Sequence, residues 1–189
     1  AEITPQQPSG NGTADSPYKI GTAAELYWFA ALVNGDESVC TGDVTQNISA
    51  NAVLTKDIIV NTGVQNSNGT LNNNNVSDFI TWTPIGYSGS GYEGTFDGQG
   101  HTISGLYFNN SEDISVGLFG NKDKGTIKNV GVVDSYFNGS SAVGGVCGYN
   151  KFGTITGCYN TGAVSCNECV GGVCGNNACG TINSCHNTG

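Results

Sequence analysis

An all-β chain is predicted, a right-handed parallel β-helix closed near its N-terminus by one α-helix. Three observations predict it. The first is an internal repeat: VGLFGNKDKGTIKNV, VGGVCGYNKFGTITGC and VGGVCGNNACGTINSC share one register, with Gly120, Gly148 and Gly175 spaced 28 and 27 residues apart. Gly125, Gly153 and Gly180 repeat the spacing, as do Ile127, Ile155 and Ile182, and Val130, Cys158 and Cys185. The second is composition. Gly (30) and Asn (23) crowd a chain of 189 residues, and both favour turns over helix interiors. The third is the shortness of the apolar runs, four to six residues, which leaves no room for a helix pair within one repeat. A β-sandwich is the competing architecture, disfavoured by the nearly constant repeat length.

Taken in chain order, the first element is a helix. Thr22 and Glu25 form a capping box. Leu26, Phe29, Ala30 and Val33 follow the i, i+3, i+4, i+7 pattern, and Asn34-Gly35 supplies a left-handed stop. This helix, at about 22–34, is expected to cover the open end of the first coil, where unpaired backbone would otherwise be exposed. Residues 1–52 form the N-terminal segment and 53–189 the β-helix. Leu54–Val60 reads as a strand. The stretch 61–80, with Asn72 to Asn75 in a row, is too polar for a core and reads as a loop insertion. Trp82–Gly86 and Gly94–Gly98 read as strand–turn pieces. His101–Leu106 is taken as a degenerate fourth copy of the G-T-I-x-x-[VC] element, 24 residues before Gly125. On that register Ile103, Ile127, Ile155 and Ile182 form one inward ladder, with Thr102, Thr126, Thr154 and Thr181 beside it. Gly105, Asn129, Gly157 and Ser184 take corners that need a left-handed backbone.

Charge and motifs bound the function. The net charge is −9, all six cationic side chains are Lys, and Arg is absent. Phosphate recognition needs cationic clusters, so nucleic acid is an unsuitable partner. No apolar run approaches the roughly 18 residues of a membrane span. The chain starts at Ala1 with no basic-then-apolar leader, which fits a mature exported chain or an excised segment. Six N-x-[ST] sequons begin at Asn11, Asn47, Asn68, Asn75, Asn109 and Asn138, as coincidence alone would produce in such a composition. His101 and His186 are far apart, so no HExxH zinc site exists. Gly89–Gly94 matches G-x-G-x-x-G, but Thr95-Phe96-Asp97 follows in place of a helix, so it reads as a turn.

Polysaccharide-active β-helices need a cation for a uronate, or two carboxylates on one cleft. Glu93 and Asp97, with Asp57 or Asp78 from a neighbouring coil, are the candidates; Asp97 before Gly98 is equally a turn residue. No catalytic, metal-binding or cofactor-binding residue is assigned, no cofactor is expected, and the ligand-binding residues are unknown. Cys147, Cys174, Cys158 and Cys185 replace apolar residues of the first copy and read as stacked small hydrophobes. Cys40, Cys166, Cys169 and Cys179 lie outside the ladders. Cys166-x-x-Cys169 is half a zinc motif without its second half, and a surface disulfide from Cys179 to Cys166 or Cys169 fits an exported chain better. Tyr87, Tyr92, Tyr107, Tyr136, Tyr149 and Tyr159 could form a binding patch or could serve as corner and core residues.

Gly117-Leu118-Phe119-Gly120, with the variants Gly145-Val146-Cys147-Gly148 and Gly172-Val173-Cys174-Gly175, resembles the GLUG-motif family of bacterial surface proteins. Trp82–Gly86, Gly94–Leu106, Asp15-Ser16-Pro17-Tyr18 and the Ala24-Glu25-Leu26 helix are similar to its opening region, so the likeness covers roughly residues 10 to 189. The resemblance implies a parallel β-helix on secreted or cell-wall proteins, many of them adhesins; related modules flank the catalytic part of IgA-cleaving metallopeptidases. It implies no catalytic residue. The expectation is a non-catalytic module, extracellular or on a bacterial cell surface, for adhesion or display. A polysaccharide-active enzyme and a ligand-free spacer are the alternatives. The partner is an unidentified host or cell-surface protein or glycan. The sequence also halts in mid-repeat, so end-to-end self-association or continuation into further repeats is expected.

Overall fold

The computed structural model describes residues 2–87, 89 and 91–189. It is a parallel β-solenoid of about three full turns, with partial turns at either end and one helix near the N-terminus. β1 (Tyr18–Ile20) leads into α1 (Ala23–Asn34). β2 (Ala52–Leu54) and β3 (Ile58–Ile59) begin the winding. The first full turn holds β4 (Thr95–Asp97), β5 (Thr102–Ser104) and β6 (Tyr107–Asn109). The second holds β7 (Phe119–Lys122), β8 (Thr126–Lys128), β9 (Gly131–Val133), β10 (Tyr136–Gly139) and β11 (Val143–Gly144). The third repeats it with β12 (Cys147–Asn150), β13 (Thr154–Thr156), β14 (Tyr159–Asn160), β15 (Ala163–Cys166) and β16 (Val170–Gly171). β17 (Cys174–Asn177), β18 (Thr181–Asn183) and β19 (His186–Asn187) follow.

Like positions of successive turns pair in parallel, so each turn contributes one strand to each face. The longest face runs β1-β2-β4-β8-β13-β18, and beside it lies β3-β5-β9-β14-β19. The others are β6-β10-β15, β11-β16 and β7-β12-β17. Strands of two to four residues suffice because the ladder bonds run between turns, and the alternation of inward and outward side chains survives in each piece. Asn129, Gly157 and Ser184 hold the predicted corners at φ 54°, 63° and 50°.

Inward side chains stack in columns. One is Phe96, Ile127, Ile155 and Ile182; the first three are wholly buried. Ile103 does not belong to it. Ile103 is buried in the neighbouring column, between Ile58 and Val132, and Thr95, not Thr102, pairs with Thr126. The 24-residue spacing was too short for a full turn. Gly94-Thr95-Phe96 is the true equivalent of Gly125-Thr126-Ile127, and a longer corner at Gly98–His101 shifts the next strand onto β9. Gly105 therefore stacks over Asp134, also left-handed at φ 42°, and not over Asn129. The expected strand Leu54–Val60 is two strands around a corner at residues 55–57.

α1 closes the top of this stack. Thr22 accepts a hydrogen bond from Glu25 N, Glu25 reaches back to Gly21 N at 2.7 Å, and Gly35 ends the helix at φ 72°. Leu26, Phe29 and Val33 are fully buried, and Trp28, Ala30 and Leu32 nearly so, a wider apolar face than the periodicity indicated. Phe29 packs on Phe96 (ring centroids 5.9 Å apart) and Tyr92 (6.1 Å), where an open turn would meet water. Burying such a ring is worth about 2–3 kcal/mol. Asn34 fastens the other end: its amide donates to Pro84 O and accepts from Gly86 N and Tyr87 N.

Candidate functional site on the aromatic face

The insertion at 61–80 is anchored rather than loose. The Asp134 carboxylate, at the left-handed corner between β9 and β10, accepts from Gly63 N (2.9 Å), Val64 N (3.4 Å) and Gln65 N (2.8 Å). Asn61, nearly buried, bonds Ile80 N, Ile80 O and Gly105 O, drawing the two ends of the insertion together. Val64 is buried despite its polar neighbours. The insertion then rejoins the solenoid in register, Thr81 bridging to Tyr107 and Trp82 N donating to Tyr107 O.

This anchoring sets Phe79 against Tyr107, with centroids 5.3 Å apart. Tyr107 in turn stacks on Tyr136 of the next turn, at 6.2 Å and 24° between planes. Alongside runs a ladder of amides: Asn138 donates to Asn109 Oδ1 at 2.9 Å, and Asn109 donates to the Tyr107 hydroxyl at 3.3 Å. Phe79 and Tyr136 are half-buried, Tyr107 is covered between them, and Asn109 is exposed. Burial raises the Tyr136 hydroxyl above its ordinary range, with Tyr107 adding to it, so the Tyr136 hydroxyl stays neutral. A hollow of about 400 Å³, lined by Val60, Asn61, Thr62, Asn75, Asp78 and Phe79, lies at the insertion's flank. Aromatic faces beside neutral amides suit ring stacking combined with hydrogen bonding to hydroxyls or peptide groups.

The six tyrosines therefore divide. Tyr107 and Tyr136 converge; the sequence had no means of adding Phe79, because only the anchored insertion delivers it. Tyr92 is core, its hydroxyl donating to Ala50 O and pushed far up by burial. Tyr87 packs on Phe108, and its hydroxyl is pushed up to about 12 by burial and the Asp113 carboxylate. Tyr149 lies on the β7-β12-β17 face, and Tyr159 stacks on His186 at 5.1 Å on the β3-β5-β9-β14-β19 face. His101 contacts Asp57 at 3.2 Å, and backbone N–H and His101 hydrogen bonds lower that carboxylate.

The carboxylates weighed as a catalytic pair are each engaged by a lysine of the following turn, Glu93 by Lys124 (3.2 Å) and Asp97 by Lys128 (3.5 Å). Asp78 stands in a 3-10 turn of the insertion. Of Gly89–Gly94, Ser90 lies outside the described residues, and β4 follows. All eight cysteines are free thiols, so the surface link expected from Cys179 is not formed. Cys147 stacks on Cys174 and Cys158 on Cys185, as the repeat required. Cys166 donates to Ser141 O, whereas Cys169 and Cys179 are exposed.

Residues 139–165 match the GLUG motif. That stretch runs from the end of β10 through β15, one complete circuit of the solenoid. The chain carries a GLUG motif. Its unit is thus the turn itself, with the Gly-Val-Cys-Gly segment entering β12, where Gly148 lies too close to Val116 and Ala142 backbone for any side chain. Halomucin of Haloquadratum walsbyi is 31% identical over 161 residues, which is 85% of this chain and 2% of halomucin. A protein of Evansella cellulosilytica described as a Gly-rich membrane protein is 31% identical over 77 residues, 39% of this chain and 9% of its own length. The chain therefore spans only a small share of the curated relatives it matches. Halomucin is archaeal, so the likeness extends beyond bacteria. No solved structure matches the chain. No helix among the described residues is long and apolar enough to cross a membrane.

Proposed function

We propose that this chain is a non-catalytic β-helical module of a secreted or cell-surface protein, and that it serves adhesion through the face built from Phe79, Tyr107, Tyr136, Asn109 and Asn138. The observation that carries the proposal is the convergence of an anchored insertion and two successive turns on one aromatic and amide surface. The names of the two relatives, a mucin-like name and a membrane protein, support a surface location. The lysine partners of Glu93 and Asp97 support a structural role for those carboxylates rather than acid–base chemistry. The ligand class that fits is a glycan or an extended peptide, since ring stacking and amide hydrogen bonds recognise both.

The test is binding of the whole chain to immobilised glycans and cell-surface proteins, beside a Phe79→Ala/Tyr136→Ala variant with an unchanged circular dichroism spectrum. Adhesion through this face predicts at least a tenfold loss of binding in the variant. Equal binding by both would move the contact elsewhere. Failure of the wild type to bind any ligand would favour the spacer alternative, and turnover of a polysaccharide would overturn the non-catalytic reading.

A further inference from the structure

We infer that Cys147 and Cys174 are the site of a turn-to-turn disulfide, closed when the chain meets a small-molecule disulfide such as oxidised glutathione. The two residues are in direct register between β12 and β17. Adjacent parallel strands lie about 4.8 Å apart, inside the roughly 4.4–6.8 Å range of Cα separations that a disulfide bridges. Both side chains point inward, and the two thiols bond alike, Cys147 donating to Tyr149 O at 3.5 Å and Cys174 to Asn176 O at 3.2 Å. Neither needs a partner brought from elsewhere in the chain.

The surroundings favour Cys174 as the attacking thiol, because burial pushes the Cys147 thiol up. Lys122 is in register with Asn150, fully buried, and its ammonium donates to Lys124 O and Gly125 O at 2.6 Å each. It has no carboxylate partner among the described ion pairs, and its charge acts on both Cys147 and Cys174. A cation beside a thiol promotes the thiolate, the attacking species in exchange. Cys174 is partly exposed while Cys147 is buried, which sets the order of events. The Cys174 thiolate attacks a sulfur of the small disulfide, forming a mixed disulfide and expelling one thiolate. Cys147 loses its proton and attacks the Cys174 sulfur, expelling the second. Two protein thiols are oxidised, one external disulfide is reduced, and the two protons finish on the expelled thiols. Cys158 and Cys185 also stack, one turn apart, but no lysine acts on Cys158, so they serve as the internal comparison.

The experiment uses the full chain, reduced and then equilibrated in a mixture of oxidised and reduced glutathione. Acid quenching, alkylation in denaturant, proteolysis and mass spectrometry then locate every linkage. The expected result is a Cys147–Cys174 cross-link, a melting temperature several degrees above the reduced form, and alkylated Cys158 and Cys185. In Cys147→Val the redox-dependent rise in melting temperature disappears. Alkylation of both Cys147 and Cys174, while exposed Cys169 or Cys179 carries glutathione, overturns the inference. So does linkage of Cys174 to any other cysteine. The wild-type map decides by itself if the valine variant does not fold.

Discussion

At the scale of single residues, the interior of a solenoid punishes polarity and unmatched charge, and two positions expose this. Ile155 sits wholly buried between Ile127 and Ile182. Ile155→Asp would place a carboxylate with no partner there, and a loss of several kcal/mol in chemical denaturation is expected. Lys122 occupies the place that Asn150 and Asn177 take in the following turns, where Asn150 donates to Asn177 Oδ1 at 2.7 Å. Burial lowers its amine from 10.5 to about 8. Below pH 8 the amine is charged in both folded and unfolded chains, and folding bears the full cost of burying it, on the order of 3 kcal/mol. Between about pH 8 and 10.5 the folded protein releases the proton first, so stability contributed by this group rises with pH. Lys122→Asn extends the amide ladder to Asn150, whose Oδ1 is buried without a hydrogen bond. The stability difference between variant and wild type should favour the variant at pH 7 and shrink toward pH 10, read from urea midpoints at each pH. A constant difference would refute the assignment.

At the scale of elements, α1 and the insertion show what pattern reading reaches. The helix was legible because capping box, periodicity and glycine stop all pointed to the same twelve residues. Its role as a cover followed from the need of an open turn for one, and the contacts of Phe29 with Tyr92 and Phe96 supply it. Removal of residues 1–35 also removes β1 from the edge of β2. The shortened chain is therefore expected to melt at least 10 °C lower or to aggregate, checked by calorimetry and light scattering, since burial of the six apolar residues of α1 is lost at about 1.5–3 kcal/mol for each of the larger side chains. The three later turns were equally legible, because identical spacing forces identical register. The first turn was misread at Ile103: two Gly-Thr-apolar elements stand close together, and only the packing of Phe96 under Phe29 decides which joins the column. The aromatic face was half legible. Tyr107 and Tyr136 are one turn apart in sequence, but Phe79 arrives through three backbone N–H bonds to Asp134, seventy residues away, and no local pattern encodes that.

At the scale of the whole molecule, stability is a sum over neighbouring turns rather than the property of one closed core. The interior is aromatic near α1, with Trp82, Tyr92, Phe96 and Phe119 wholly buried, and thins to Val, Cys and Ile farther along. Ile182 is 37% exposed and Val170 51%, although their equivalents Ile155 and Val143 are fully buried. Amide hydrogen exchange of this chain should therefore form a gradient, slowest in β4, β8 and α1 and fastest in β17–β19. Uniform protection would mean that the turns fold as a single cooperative unit. The run of ladder bonds from turn to turn also fixes how the protein answers mechanical load. Those bonds lie along the solenoid axis, so tension between its two ends meets them one rung at a time, as in opening a zipper, and never shears a long strand pair at once. Each released turn of some 27 residues lengthens the chain by up to about 90 Å at roughly 3.3–3.6 Å per residue. In single-molecule pulling the module should yield at low force in steps of that size, re-forming when slackened. A surface protein assembled from such turns would act as a shock absorber, giving length under strain before any covalent or adhesive attachment has to fail.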